Sequence, residues 1–196
     1  MPNFHETYFD EKGGFVPCKT PWGRWWQTVS EVHIEVDVPE GTRGKSCNVK
    51  LKASYITVTI LNETIIDGNL FAFVLVDELI WTLEDKKKLY IILVKGDVKT
   101  KETTWQGLLQ DNYLADPWLL HEMQKKLDLE RFQIENPGFD FRSAKISKGN
   151  DRVSQYKIND WNDRQDELIE KGSFVCGLQG YRQVTKETNN DAENDG

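Results

Sequence analysis

The sequence predicts a mainly β protein: an antiparallel β-sandwich of about seven strands, followed by a C-terminal helical segment and a partly disordered tail. Apolar and polar residues alternate with a period of two through much of residues 31–94. Turn-forming residues recur roughly every eight to twelve positions in the same region. No helical period precedes Gly96, so the crossover helices that a parallel sheet requires are missing.

The most regular strands come first. Apolar residues alternate with polar ones over residues 32–38, and Pro39 ends this strand. The same period returns over residues 47–51 and 56–60, after the turn GTRGK. Residues 62–64 predict a further turn, because asparagine favours turn conformations.

The next stretch, IIDGNLFAFVLV, contains an Asp-Gly pair at residues 67–68, which predicts a turn between two short strands. Apolar residues then alternate over residues 79–83, so Trp81 is expected to be the most deeply buried tryptophan. After a turn at residues 85–88, LYIILVK predicts a last strand with apolar residues on both faces.

Helical signals follow Gly96. Residues 105–109 predict a short helical turn, and Asp116 followed by Pro117 predicts the start of a longer helix. We expect this helix to dock on the sandwich and to end at the Asn-Pro-Gly of residues 136–138, because a short helix is marginal in water by itself. Its apolar stripe consists of Leu119, Leu120, Met123 and Leu127.

These patterns divide the chain into four segments. Residues 1–15 form a flexible N-terminus, residues 16–110 the sandwich, and residues 111–150 a helical extension that ends in the NPGFDF segment. Residues 151–196 form an acidic extension with six basic and ten acidic residues, and its last dozen residues are predicted to be disordered. Within this extension, residues 160–171 predict a second helix.

Charge and composition exclude several classes of partner. The net charge of −7 argues against nucleic acid or an anionic membrane as a partner. No run approaches the roughly 20 apolar residues of a membrane span, and the N-terminus lacks a basic flank followed by an apolar stretch. The three widely spaced cysteines fit free thiols in a reducing compartment. We therefore expect a cytoplasmic protein.

Signatures of catalysis are scarce. None of the three histidines stands at metal-ligand spacing, and His33 is expected to be a plain exposed residue. The sequence has no glycine-rich nucleotide-binding motif, and the adjacent Glu84 and Asp85 point to opposite faces of a strand. We predict no catalytic, cofactor-binding or metal-binding residue. A serine or cysteine nucleophile that the fold brings to a histidine stays open, as does a carbohydrate-binding sandwich.

The tryptophan cluster in TPWGRWWQTVSEV is the strongest candidate for function. A dense tryptophan cluster either fills a core or forms a contact surface for a partner. We expect Trp26 to close one end of the sandwich while Trp22 and Trp25 lie at its rim. Trp22, between a proline and a glycine, is expected to be the most exposed of the three.

Four motifs resemble the nuclear distribution protein C (NudC) family: WWQTVSEVHIEVDVP, IIDGNLF, WTLEDKKKLYIILVK and ADPWLLHEMQKKLDLERFQIENPGFDF. They occur in the family's order over about residues 16–150. The resemblance implies a CS domain, a sandwich shared with small co-chaperones of heat shock protein 90 and similar in shape to the core of small heat shock proteins. The family often has glycine where Lys86 stands, which leaves the type of this hairpin open. Residues 151–196 have no family counterpart.

The resemblance implies a non-enzymatic co-chaperone or adaptor. Such a protein binds heat shock protein 90 and stabilises clients such as the lissencephaly WD-repeat protein of the dynein pathway. The location would be cytoplasmic, with the centrosome or microtubules as a further option. The alternative is an independent holdase like the small heat shock proteins, although no Ile-x-Ile or Ile-x-Val motif follows Phe141. The candidate contact residues are Trp22, Trp25, Trp26, Glu84, Asp85, Lys86, Lys87 and Lys88.

Overall fold

The computed structural model describes residues 14–96 and 104–138 and a two-residue strand at Val175–Cys176. In this part, the chain forms two antiparallel sheets and one long helix. The first eight strands are β1 (Cys18–Thr20), β2 (Gly23–Gln27), β3 (Glu31–Asp37), β4 (Cys47–Lys52), β5 (Tyr55–Ile60), β6 (Glu63–Asn69), β7 (Ile80–Glu84) and β8 (Lys88–Val94). Then follow β9 (Leu114–Ala115), α1 (Pro117–Glu135) and β10 (Val175–Cys176).

The strands confirm the predicted antiparallel sandwich. One sheet has five strands in the order β1-β2-β3-β8-β7, and the other has three in the order β4-β5-β6. The alternating residues that predicted β3, β4 and β5 bury their apolar members between the two sheets, where Ile34, Ile56, Val58 and Ile91 are inaccessible to solvent. A separate parallel pair joins β9 to β10.

The predicted turn at residues 67–68 is wrong, because β6 runs without interruption from Glu63 to Asn69. Asp67 pairs with Thr57, whose hydroxyl donates to Asp67 Oδ1 at 2.8 Å. At Gly68, an added Cβ would lie 2.8 Å from Leu109 Cδ1. The glycine therefore admits a packed side chain rather than turning the chain.

The predicted long helix is confirmed as α1. The Asp116 carboxylate accepts a hydrogen bond from Leu119 N at 2.8 Å, and Pro117 occupies the first turn. The buried stripe of Leu119, Met123 and Leu127 docks the helix on the sandwich. Residues 105–109 do not form the predicted helical turn. Instead, Leu109 bridges to Leu70, and the buried Trp105 is held by hydrogen bonds to Gln27.

The hairpin between β7 and β8 has two residues with positive φ, Asp85 at 48° and Lys86 at 53°. Lys87 N donates to Glu84 O at 3.0 Å and closes the turn. Because Glu84 pairs with Lys88, three residues form the loop, and Asp85 and Lys86 have the positive φ that favours glycine or asparagine. Lys86 therefore occupies a strained position in a three-residue loop.

The cysteines differ from the expectation of free thiols. Cys18 is disulfide-bonded, whereas Cys47 is a buried free thiol. The cysteine pattern therefore gives no support for a reducing compartment.

The described ranges contain neither a helix that is long and apolar enough to cross a membrane nor a cluster of three or more potential metal ligands. The predicted flexible N-terminus up to residue 13, the helix at residues 160–171, and the disordered tail lie outside the described residues.

Candidate protein-binding surface

The solvent-facing side of the five-stranded sheet, called the outer face below, carries the richest set of interacting side chains. The registers of β2, β3, β8 and β7 align these side chains in rows across the sheet. One row is Trp26, His33, Ile92 and Ile80, and the next is Arg24, Glu35, Tyr90 and Thr82. Residues directly opposite on neighbouring strands contact one another, so each row is a continuous strip.

Aromatic rings form one end of the outer face. Phe15 stacks on Trp26 with 4.2 Å between ring centroids, and the His33 ring also stacks on Trp26, at 5.4 Å. Tyr90 extends the cluster, since its ring centroid lies 5.9 Å from those of both Trp26 and His33. The Arg24 guanidinium lies 5.4 Å from the Trp26 ring. The stacked rings hold this end of the face in one fixed arrangement.

Glu35 links two cations in the middle of the outer face. One carboxylate oxygen accepts a hydrogen bond from Arg24 Nη2 at 2.9 Å, and the other accepts from Lys88 Nζ at 2.5 Å. Burial disfavours the Glu35 carboxylate, but the hydrogen bonds and charges of Arg24 and Lys88 outweigh it and lower the pKa below its usual value. Glu35 therefore stays ionised and fixes both cations.

His33 is almost buried, so the expectation of a plain exposed histidine is wrong. Its Nδ1 lies 2.7 Å from Tyr90 Oη, and its Nε2 lies 3.2 Å from Glu31 Oε2. Burial lowers the pKa of His33 more than the neighbouring Glu31 carboxylate raises it. Both ring nitrogens have partners, and the contact with Tyr90 joins β3 to β8, which is a structural role.

The predicted tryptophan roles change places. Trp25, expected at the rim, is 0% exposed in the core and donates from Nε1 to the Tyr113 carbonyl at 3.2 Å. Trp26, expected to close the sandwich, lies on the outer face beneath Phe15 and is 6% exposed. A partner of the folded domain cannot reach Trp25.

Trp81 and Trp22 also differ from expectation. Trp81 is 37% exposed, although it was expected to be the most buried tryptophan. It pairs with the buried Ile91 and so has the predicted inward orientation, but β7 is the last strand of the sheet and leaves one side of the ring open. Trp22 is partly buried and makes a T-shaped contact with Tyr113, with 5.2 Å between ring centroids, so Trp81 rather than Trp22 is the most exposed described tryptophan.

The charged hairpin lies at the same end of the sheet as Trp22. Trp22 O accepts from Asp37 N, Asp37 pairs with Lys88, and Lys88 pairs with Glu84. With strands about 4.8 Å apart, this row is about 15 Å long. The structure thus brings Trp22 and residues 84–88 to one end of the sheet, while Trp25 lies deeper. Whether these residues contact a partner stays a prediction.

Sequence reasoning did not name Phe15, Arg24, Glu35 or Tyr90 as contact residues. Glu35 and Tyr90 could have been found, since strand alternation places both on the face opposite the core. Phe15 has no such signal, because its contact with Trp26 depends on where the chain enters the sandwich. The outer face as a whole is a rigid surface of aromatic rings and paired charges, which is suited to recognising a protein.

An antiparallel sandwich with such a face defines a class of β-sandwich interaction domains. Within that class, the CS domain family matches residues 21–95, which run from just before β2 to just after β8.

Sequence comparison gives the family. NudC domain-containing protein 2 of Homo sapiens and that of Rattus norvegicus are each 48% identical over 139 residues, covering 71% of this chain and 88% of each relative. The crystal structure of NudC domain-containing protein 2 from Mus musculus shares 47% sequence identity over 67% of this chain and 100% of that chain, with a TM-score of 0.38. The chain belongs to the NudC family, as the sequence motifs predicted. Membership supports a co-chaperone-like role exercised through protein partners.

Proposed function

We propose that this protein is a non-enzymatic co-chaperone or adaptor that binds heat shock protein 90 and stabilises client proteins. The client we propose is the lissencephaly WD-repeat protein of the dynein pathway. The location that goes with this role is the cytoplasm, including the centrosome or microtubules. Family membership supports the role, and the outer face supplies a surface on which it can be exercised.

The observation that carries this proposal is the Arg24–Glu35–Lys88 network beside the aromatic cluster. Its side chains are fixed before any partner arrives, so binding loses little side-chain entropy. The Lys88 and Arg24 side chains are partly exposed, and together with Tyr90 they offer cationic and aromatic groups of the kind enriched in protein interfaces. Acidic and apolar groups on a chaperone would complement them.

The direct test is calorimetric titration of the full chain into heat shock protein 90, with and without a non-hydrolysable ATP analogue. We expect binding that depends on the nucleotide. The absence of heat in both states would contradict the chaperone contact. The same titration into the lissencephaly protein would then test whether a client adaptor function survives.

A matched pair of variants locates the contact. Lys88→Ala removes a cation from the outer face, whereas Lys50→Ala removes one from the solvent-facing side of β4 on the other sheet. We expect Lys88→Ala to weaken binding several-fold and Lys50→Ala to leave it unchanged. Equal effects of the two variants would argue against the outer face.

The acidic extension needs two truncations, because β10 pairs with β9. Removing residues 151–196 also removes β10, whereas removing residues 177–196 retains it. Binding lost only in the longer truncation would reflect this pairing or the preceding residues. Binding lost in both would assign the contact to the last residues of the chain.

A further inference from the structure

The border of the five-stranded sheet formed by β7 has no neighbouring strand within the described part of the chain. The chain runs antiparallel to β8 along this border: Val74 bridges to Lys95, and Leu75 N donates to Val94 O at 2.9 Å. Further on, β7 pairs with residues 88–92. Among the described residues, none hydrogen-bonds to the outer backbone groups of β7, so these groups can pair with an additional strand.

Exposed apolar side chains accompany this free backbone. Five of the eight exposed large apolar residues in the described ranges lie along this border, including Phe73 at 68% and Ile80 at 55%. We call them the edge patch: Phe73, Leu75, Val76, Ile80 and Trp81. Scattered apolar residues need no explanation, but a concentration beside a free strand marks a binding surface.

The other sheet borders are protected in ways that β7 is not. Lys50 and Lys52 are exposed on β4, and β1 is only three residues long. The pairing of β6 with β5 shifts in register between Val58 and Thr59 of β5. Charges, bulges and short strands are the usual devices against unwanted strand pairing. In contrast, β7 has no lysine, proline or register shift, and it carries Ile80 and Trp81.

Acidic residues mark both ends of the edge patch. Asp77 and Glu78 lie just before β7, and Glu84 and Asp85 lie at its end. All four are exposed, and none makes an ion pair with another described residue. Of the lysines that follow Asp85, Lys87 pairs with Glu40 and Lys88 with Glu35, so this end keeps a net negative charge. A strand added here would be attracted most strongly if it carried basic residues on both sides of an apolar centre.

The same charges disfavour a second copy of this chain. Antiparallel pairing of β7 with itself about Trp81 matches apolar side chains, but it places Glu78 of one copy opposite Glu84 of the other. Pairing about Thr82 instead places Ile80 opposite Glu84. Either register sets a carboxylate against a like charge or an apolar group, which is unfavourable.

We propose that β7 and the edge patch bind an extended segment of a partner protein, one with alternating apolar residues flanked by lysine or arginine, as a sixth strand of the sheet. Main-chain hydrogen bonds to β7 provide affinity, the edge patch receives the apolar side chains, and the acidic ends select the basic flanks. Ile80 also belongs to the outer face, but pairing of a strand with the β7 backbone does not require the chaperone contact.

The probe is a synthetic peptide in which valine and threonine alternate between two lysines at each end. Amide-resolved NMR titration of the full chain should show changes confined to β7 and the edge patch, with slower hydrogen exchange on β7. A peptide with glutamates in place of the lysines, and one with a central proline, should bind at least about tenfold more weakly. Equal binding of all three peptides would overturn the proposal.

Two variants make a matched comparison on the protein. Ile80→Lys and Leu61→Lys introduce the same charge at similarly exposed apolar positions, 55% and 51%, but Leu61 lies in the turn between β5 and β6. Only Ile80→Lys should weaken binding of the lysine-flanked peptide, by about tenfold in the dissociation constant. In addition, Glu78→Gln with Glu84→Gln should flatten the salt dependence of binding.

Three outcomes contradict the inference. The first is that the peptide changes no amide signal on β7. The second is equal binding by the Ile80→Lys and Leu61→Lys variants. The third is a wild-type dimer in analytical ultracentrifugation that Ile80→Lys dissociates. The last would assign the edge to a second copy. Melting curves of both variants establish that each is folded when binding is measured.

Discussion

The tryptophans at the two edges of the five-stranded sheet differ in burial. On the side of β1 and β2, Trp25 and Trp26 are buried, whereas Trp81 on β7 is exposed. Tyr113 contacts Trp25 and Phe15 covers Trp26, and both come from outside the strands of the sheet. Tryptophan burial here depends on which distant segments return to cover a strand, so we call these the covered side and the open side.

The largest expected effect is a difference in stability loss between tryptophan substitutions on the covered side and on the open side. Trp25→Ala should lower the free energy of unfolding by about 3–5 kcal/mol, because it leaves a large cavity in the core. Trp81→Ala should lower it less, by about 2 kcal/mol, because 37% of that residue is already exposed to water. Chemical denaturation measures both, and equal losses would refute the distinction.

The covered side should also respond to pH through Lys95. Its Nζ donates to Gln27 Oε1 at 2.9 Å and to the Thr28 carbonyl at 2.7 Å, and burial lowers its pKa to about 7 from 10.5. Between these values the unfolded chain keeps a proton that the folded chain has released, so stability rises with pH. At about 1.4 kcal/mol per pKa unit, the gain is a few kcal/mol.

The measurement for Lys95 is the free energy of unfolding from pH 6 to about pH 10.5, where its unfolded form titrates, in the wild type and in Lys95→Met. The difference between the two curves isolates this one group from tyrosines and the free thiol. The difference should be flat below the folded pKa and should grow above it. A constant difference across the range would show that Lys95 keeps its charge when buried.

Uncovering Trp26 should make the covered side behave like the open one. Phe15→Ala should cost about 1–2 kcal/mol of stability, since it removes a stacked ring. It should also shift tryptophan emission to longer wavelength and increase quenching by acrylamide. Phe73→Ala, which removes an exposed ring from the open side, is the control that should change neither.

The smallest effect is expected at the hairpin of the open side, and it is stabilising. Lys86→Gly should raise the free energy of unfolding by about 1 kcal/mol, because lysine at φ 53° is strained and glycine is not. Asn62→Gly, in the hairpin between β5 and β6 at φ 69°, should gain less because asparagine tolerates this conformation. Thermal melts of the two variants test the order.

Most of the fold could be predicted because its signals are local. Strict alternation located β3, β4 and β5, and the Asp116–Pro117 pair located the start of α1. The same signals assigned the correct face to Trp81. They could not assign its burial, because the position of β7 at the end of the sheet depends on long-range pairing.

The failures share this long-range origin. The Asp-Gly pair at residues 67–68 has the composition of a turn, but the space at Gly68 is filled by Leu109. Residues 105–109 failed as a helix because Gln27 holds the Trp105 backbone from another strand. The candidate site was predicted in part: residues 84–88 form an exposed hairpin near Trp22, but the Phe15–Trp26 stack and the Arg24–Glu35–Lys88 network depend on tertiary contacts.

Gly23 lies within the tryptophan cluster, between Trp22 and Trp25, and one backbone contact there limits how this surface can evolve. It has a φ of 145°, and an added Cβ would lie 2.1 Å from the carbonyl oxygen of Glu35 on β3. No substitution can be absorbed there without separating β2 from β3, because the obstacle is backbone rather than a flexible side chain. Exchange of the exposed Lys88 leaves the pairing of β2 with β3 intact, but lineages that lose Gly23 would lose the surface itself.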